Sequence, residues 1–420
     1  MSSSGQRPQL YPEPPPLLSS PSIGGGMTFV GPGVIIASVT IGSGELVWAS
    51  RSGAIFGHQL LWCFLFAGVF KAIQVYTAAR QMTLTGEHPM VSWKNLPGPP
   101  LWFPLLIAVP TLAVMPIAFS GISEILGGYL CELTGVSAAR RAVGPFQIVE
   151  LWENVWASAV LSTCLVLALS SSLKTLERVS AIVLGAIVLC GLASVLVCQP
   201  DLVEIVAGLI FPRVPDYAPW VISDFGESFA SRSPWLEIAL YLTAVGGGTY
   251  DYLGYVGMIR EKRWGLAGRR VASREQLESI VAAKDSAQEI RRAKIWTRAP
   301  LWDTSVSFAL VILVTLLFAV LGGLVLHPEH KIPDSHVLLS EQELFLARLH
   351  PQLLWVYRAG VLLAFIGTLY GAFEIYQHTV LESVRAIAPR RAADKRVANW
   401  RRLTVAYCYL GGMMTIWLPR

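Results

Sequence analysis

The stretch Gly31-Pro-Gly-Val-Ile-Ile-Ala-Ser-Val-Thr-Ile-Gly42-Ser43-Gly44-Glu45, continued by Leu46-Val-Trp-Ala-Ser-Arg51-Ser-Gly-Ala-Ile-Phe56, decides how this chain is read. It is apolar and longer than the ~20 residues of helix that cross a bilayer. Near its middle stand two glycines, a serine and a carboxylate. Glycine favours unwinding, and hydrocarbon penalises a carboxylate at that depth. The reading is a discontinuous membrane helix. Irregular backbone survives at membrane depth only where it is buried in protein or lines a cavity, so Gly42 to Glu45 are expected to form half of a substrate site.

Composition supports the membrane class. The chain has 420 residues, of which 53% are hydrophobic and only 15% charged, with a mean hydropathy of +0.52. Soluble domains average about 25% charged residues. The net charge of +5 gathers in a few loops, which marks topology and gives no nucleic-acid surface. The six cysteines are scattered without paired spacing, so neither a disulfide framework nor a zinc site is indicated. No phosphate-binding loop, nucleophile elbow or zinc-protease motif is present, and the chain is not read as an enzyme.

Nine candidate spans lie near 28–56 (broken), 58–79, 101–121, 155–172, 179–198, 235–258 (broken), 303–326, 353–378 and 403–418. Residues 1–26, rich in Ser, Pro and Gly, read as a disordered cytoplasmic tail and not as a signal peptide. Residues 27–198 form a first transmembrane repeat of five helices. An acidic, aromatic extracytoplasmic loop follows at 199–234, and residues 235–420 form a second repeat of four helices, one fewer than the first. Lys and Arg concentrate in the loops that share a side with the N-terminus, above all in the basic loop 259–301, which predicts a cytoplasmic N-terminus in the plasma (inner) membrane.

The second broken span is Tyr241-Leu-Thr-Ala-Val-Gly246-Gly-Gly-Thr-Tyr250-Asp251-Tyr252-Leu-Gly254-Tyr255. Each of three consecutive glycines costs about 1 kcal/mol against alanine inside a helix, so Gly246 to Gly248 mark an intended break, and an aspartate follows it. One broken helix opens each group of spans. That is the pattern of a transporter built from inverted repeats, with its site where the unwound segments meet.

Gly31-Pro-Gly33, Gly42-Ser-Gly-Glu45 and Gly57-His-Gln-Leu-Leu-Trp62 together resemble the first helix and the start of the second in the Nramp-type (natural resistance-associated macrophage protein) divalent-metal transporters, and Trp302-Asp-Thr-Ser305 is similar to the start of their seventh. The resemblance implies an all-α, leucine-transporter-like bundle with discontinuous first and sixth helices. It also implies secondary active transport of a cation by alternating access. The family's ligand motifs are absent. Gly42-Ser43-Gly44-Glu45 stands where the family has Asp-Pro-Gly-Asn, and Tyr250-Asp251-Tyr252 where it has Met-Pro-His. The scaffold and the place of the site carry over; the soft-metal ligands do not.

The candidate substrate site is therefore Gly42, Ser43, Gly44 and Glu45 from the first break with Gly248, Thr249, Tyr250, Asp251 and Tyr252 from the second, Glu45 and Asp251 being the metal ligands. Two carboxylates with hydroxyls and freed carbonyls make a hard, all-oxygen set suited to a divalent cation such as Mg²⁺, Ca²⁺ or Mn²⁺. No resident cofactor is expected, and proton or sodium are the candidate coupling ions. The expected partners are a small ion or solute and the lipid bilayer, with no nucleic acid and the oligomeric state open. Two alternatives remain open: transport of a small organic solute at the same site, and a truncated, non-transporting membrane protein. Lys71, well inside the second span, reads as a structural ion-pair partner with Glu45 as one candidate acid.

Overall fold

A computed structural model describes residues 10–19, 22–136, 142–143, 146–170, 173–226, 229, 231–269, 272, 275–276, 278, 286–332, 338–347, 351–392 and 394–418. Helix α1 (Pro32–Thr40) opens on a proline, whose fixed φ suits a first helical turn. It runs through a π-helical stretch, Ile41–Trp48, into α2 (Ala49–Phe56), with a bend of 46° between the two halves. The unwinding expected at Gly42–Glu45 is not found. The wider turn bends the axis within a backbone that stays helical. Gly42 serves another purpose: a Cβ there would stand 2.1 Å from Thr368 Oγ1, and that hydroxyl donates to Ser38 O at 2.9 Å. Ser43 and Gly44 lie in the π-helical turn, and their side-chain positions fall outside the described residues.

The remaining long elements are α3 (Leu61–Thr85), α4 (Trp102–Leu133), α5 (Ile148–Ser170), α6 (Leu173–Val197), α7 (Pro234–Ala244), α8 (Thr249–Lys262), α9 (Arg298–Leu321), α10 (Leu353–Ile387) and α11 (Asp394–Ile416). Every one of the nine spans read from the sequence carries helix. Among the described residues, five helices are long and apolar enough to cross a membrane, and the bent pair α1–α2 makes a sixth. Helix α4 passes through Pro110 and Pro116 as one element. Two-residue strands, Ala142–Val143 and Phe146–Gln147, pair antiparallel between α4 and α5.

The apolar windows of α9 and α10 are 67% and 61% buried, against 28% for α4 and 22% for α5. Helices α9 and α10 are thus the centre of the bundle, and α4 and α5 belong to its rim. Leu106, Val109 and Ile117 on α4 and Val166 and Leu169 on α5 are exposed, a surface that hydrocarbon satisfies and water does not. This is an integral membrane protein. Helix α9 packs against α1, α2, α3 and α6, and α10 against α8, α4 and α1.

Asp303 ties three of these elements. Fully buried near the start of α9, its carboxylate accepts from Gly31 N at 2.8 Å, Gly33 N at 3.0 Å and Tyr255 Oη of α8 at 2.9 Å. Helix starts leave N–H groups without intrahelical partners, and Asp303 satisfies those of α1 from another helix.

Of the segment expected to be a disordered tail, residues 1–9 and 20–21 lie outside the described residues, and residues 10–19 are anchored on the bundle through Leu10, Tyr11 and Leu18. Tyr11 is 4% exposed. Its N–H donates to Glu289 Oε2 at 2.9 Å and its hydroxyl to Leu84 O at 2.8 Å, and Trp296 Nε1 donates to Pro12 O at 2.8 Å. Tyr11 and Leu18 give this polar segment apolar surface to bury. The segment therefore shares one end of the bundle with the end of α3 and with the helix Ser286–Trp296 of the basic loop.

Candidate functional site

The second break is present as read. Helix α7 ends at Ala244, residues 245–248 leave the helix, and α8 starts at Thr249. Gly246 and Gly247 have φ of 74° and 78°, the left-handed region that side-chain-bearing residues avoid at a cost of about 1–2 kcal/mol. Freed peptide groups at this depth have no water to turn to, so each needs a protein partner.

The partners come from four side chains. Lys71, projecting from α3, donates through Nζ to Thr243 O at 2.9 Å, to Gly247 O at 3.0 Å and to Val245 O. Tyr252 Oη donates to Gly246 O at 2.7 Å and Gly247 O at 3.1 Å. On the N–H side, Gly246 N donates to Glu45 Oε1 at 2.7 Å and Gly248 N to Asp251 Oδ2 at 2.8 Å. A cation thus sits at the carbonyl end of α7 and an anion at the N–H end of α8, each complementing the helix dipole it faces.

Glu45 and Asp251 are brought to the same four-residue break, from the π-helical turn and from α8. Each keeps one carboxylate oxygen, Oε2 and Oδ1 respectively, buried and without a hydrogen-bond partner. Asp251 also lines a cavity of about 370 Å³, together with Thr40, Trp48, Phe119, Tyr250 and Tyr376. The rings of Tyr250 and Tyr376 meet edge-on at 5.7 Å. Thr379 Oγ1 donates to Tyr250 O at 2.7 Å, which fixes the start of α8 against α10.

Gly248 lines the cavity with Asp251 and Tyr250, whereas Glu45, fully buried, stands at Gly246 and does not line it. Tyr252 closes the carbonyls of the break and does not wall the cavity, and Thr249 is half-buried outside the lining. Gly42 belongs to the contact with α10. Lys71 makes no ion pair with Glu45 among the described residues; its three N–H groups go to carbonyls. That role and the walls from Trp48, Phe119 and Tyr376 were missed in the sequence, where only the depth of Lys71 in its span signalled a cation in need of partners. Among the described residues no group of three or more His, Cys, Asp or Glu side chains converges on one point.

Residues 33–228 match the family model "Natural resistance-associated macrophage protein-like". This part of the chain is Nramp-like. A divalent metal cation transporter, MntH, of Burkholderia ambifaria is 27% identical over 199 residues, 47% of this chain and 41% of that one. The metal transporter Nramp6 of Arabidopsis thaliana is 25% identical over 44% of this chain and 33% of its own. The chain therefore spans well under two thirds of these relatives' lengths. An uncharacterized protein of Pasteurella multocida is 21% identical over 92% of this chain and 77% of that one. Among solved structures, the Eremococcus coleocola manganese transporter, in complex with an aromatic bis-isothiourea substituted compound, superposes with a TM-score of 0.52 at 14% identity over 97% of this chain and 74% of that one. The leucine-transporter-like bundle expected from the sequence is the fold of this chain.

Gly247→Ala tests the break itself. Its Cβ would lie 2.8 Å from both Asp251 Oδ2 and Thr40 Cγ2, at a positive φ. The melting temperature in detergent should fall by several degrees, for a cost of about 1–2 kcal/mol or more. Gly121→Ala, with no atom within 4 Å of the added Cβ, should leave it unchanged or raise it.

Proposed function

We propose that the chain is a secondary active transporter that carries a cation, of the hard divalent class, by alternating access around its two bent helices. The observation that carries this reading is the pair Glu45 and Asp251. One comes from the bent helix and one from the broken helix, both reach the same break, and each holds a buried carboxylate oxygen with no hydrogen-bond partner among the described residues. A buried carboxylate at membrane depth costs about 2.5 kcal/mol or more, which a cation held between the two would offset. Oxygen ligands favour Mg²⁺, Ca²⁺ or Mn²⁺ over thiophilic ions, and the named relatives include metal transporters.

A second reading is favoured by the cavity. At about 370 Å³, with aromatic walls from Trp48, Phe119, Tyr250 and Tyr376, it exceeds what a bare ion fills and falls in the range of small-molecule pockets. Aromatic faces beside a carboxylate suit a small organic cation.

The orientation belongs to the same proposal: a cytoplasmic N-terminus in the plasma (inner) membrane. It is supported by the basic loop lying at the end of the bundle that holds the N-terminal segment. A cysteine in place of Arg263 should resist a membrane-impermeant reagent added to intact cells; ready labelling reverses the orientation.

Reconstituted in liposomes, the protein should take up Mn²⁺ or Mg²⁺, and Glu45→Gln and Asp251→Asn should each reduce flux at least about tenfold while the protein stays folded. Unchanged flux in either variant contradicts the assignment of that carboxylate. Uptake of a small amine with no metal flux selects the second reading.

A further inference from the structure

The side chain that fits the cation-carrier reading least is itself a cation. Lys71 rises from α3 into the break, and its ammonium, which has three N–H donors, is shared among three backbone carbonyls, those of Thr243, Val245 and Gly247. A fourth carbonyl, Gly246 O, is taken by Tyr252. Glu45 and Asp251 flank the same residues through Gly246 N and Gly248 N. Freed carbonyls between two carboxylates are the oxygen set a hard metal ion takes.

We infer that the Lys71 ammonium is a built-in cation seated in the carbonyl cage of the second break, where it competes with an incoming divalent cation for the same oxygens and lowers the affinity of the site. The inference rests on the cation-carrier reading and concerns what sets its strength. With Lys71 in place, the two carboxylates face one fixed positive charge. An entering dication then leaves the cluster with a net positive charge in a medium of low dielectric, where charge imbalance is expensive. With Lys71 neutralised, two carboxylates balance one dication. The carbonyls Lys71 releases become free to turn to the metal.

The structural alternative is that Lys71 only satisfies the freed carbonyls of α7. Both roles predict that removing the side chain disturbs the break, so stability alone does not separate them. Metal affinity does. A structural lysine holds the site together, and its loss weakens metal binding; a competing cation does the reverse.

The experiment is calorimetric titration of the full chain in detergent with Mn²⁺, for the wild type, Lys71→Gln, Lys71→Met and Lys71→Arg. Lys71→Gln keeps two amide donors for the carbonyls without the charge, so it remains informative should Lys71→Met fail to fold. Lys71→Gln should bind Mn²⁺ at least about tenfold more tightly than the wild type, and Lys71→Arg should not. Tighter binding by Lys71→Gln that is lost again in the double variant Glu45→Gln with Lys71→Gln supports the inference. Binding by the wild type that Lys71→Gln weakens or leaves unchanged overturns it and leaves the cation-carrier reading standing. Binding by none of these proteins overturns the cation-carrier reading, and the inference with it.

Discussion

The structure depends on one constraint: a helix interrupted inside a membrane must find protein partners for every peptide group it frees. At residues 243–248 the four carbonyls and two N–H groups described above are met by Lys71, Tyr252, Glu45 and Asp251. They come from three places: Lys71 from α3, Glu45 from the π-helical turn of the first bent helix, and Asp251 and Tyr252 from the first turn of α8. Satisfying the break therefore draws the charged side chains to one point. The same requirement explains why the first bent helix bends without opening, since a π-helical turn changes direction while retaining its hydrogen bonds.

A second set of buried polar contacts joins the helices around the two bends. Asp303 grips the N–H groups that open α1 and the hydroxyl of Tyr255 on α8. The half-helices on one side of both bends are thus joined to the buried helix α9. Thr368 on α10 does the same nearer the bend, where Gly42 allows the close approach. Alternating access requires some elements to move against others as bodies. On the proposed function, these buried polar contacts would decide which elements move together around the cavity beside Asp251.

How much was legible in the sequence varied with the kind of signal. Gly246 to Gly248 announced the break because three successive glycines in mid-span, beside an aspartate, are costly to keep helical. Gly42 was misread because a glycine that permits unwinding and one that permits a close approach look the same without Thr368 in view. Glu45 and Asp251 were found because a mid-span carboxylate is costly wherever it stands. Lys71 was noticed for the same reason, but its partners were not, since they are backbone carbonyls and carry no side-chain identity to search for. Tyr11 and Leu18 lay in a segment whose overall composition hid two apolar anchors. Trp48, Phe119 and Tyr376 sit among many aromatic residues of apolar spans, and only the tertiary arrangement turns them into walls.

The most direct test of the account is the position of a bound ion. Crystals or particles of the full chain prepared with Mn²⁺ would give an anomalous or density peak that locates the metal independently of any flux. The account predicts a peak between Glu45 Oε2 and Asp251 Oδ1, at coordinating distance from both. A peak elsewhere in the bundle, with these two oxygens still unpartnered, would contradict it.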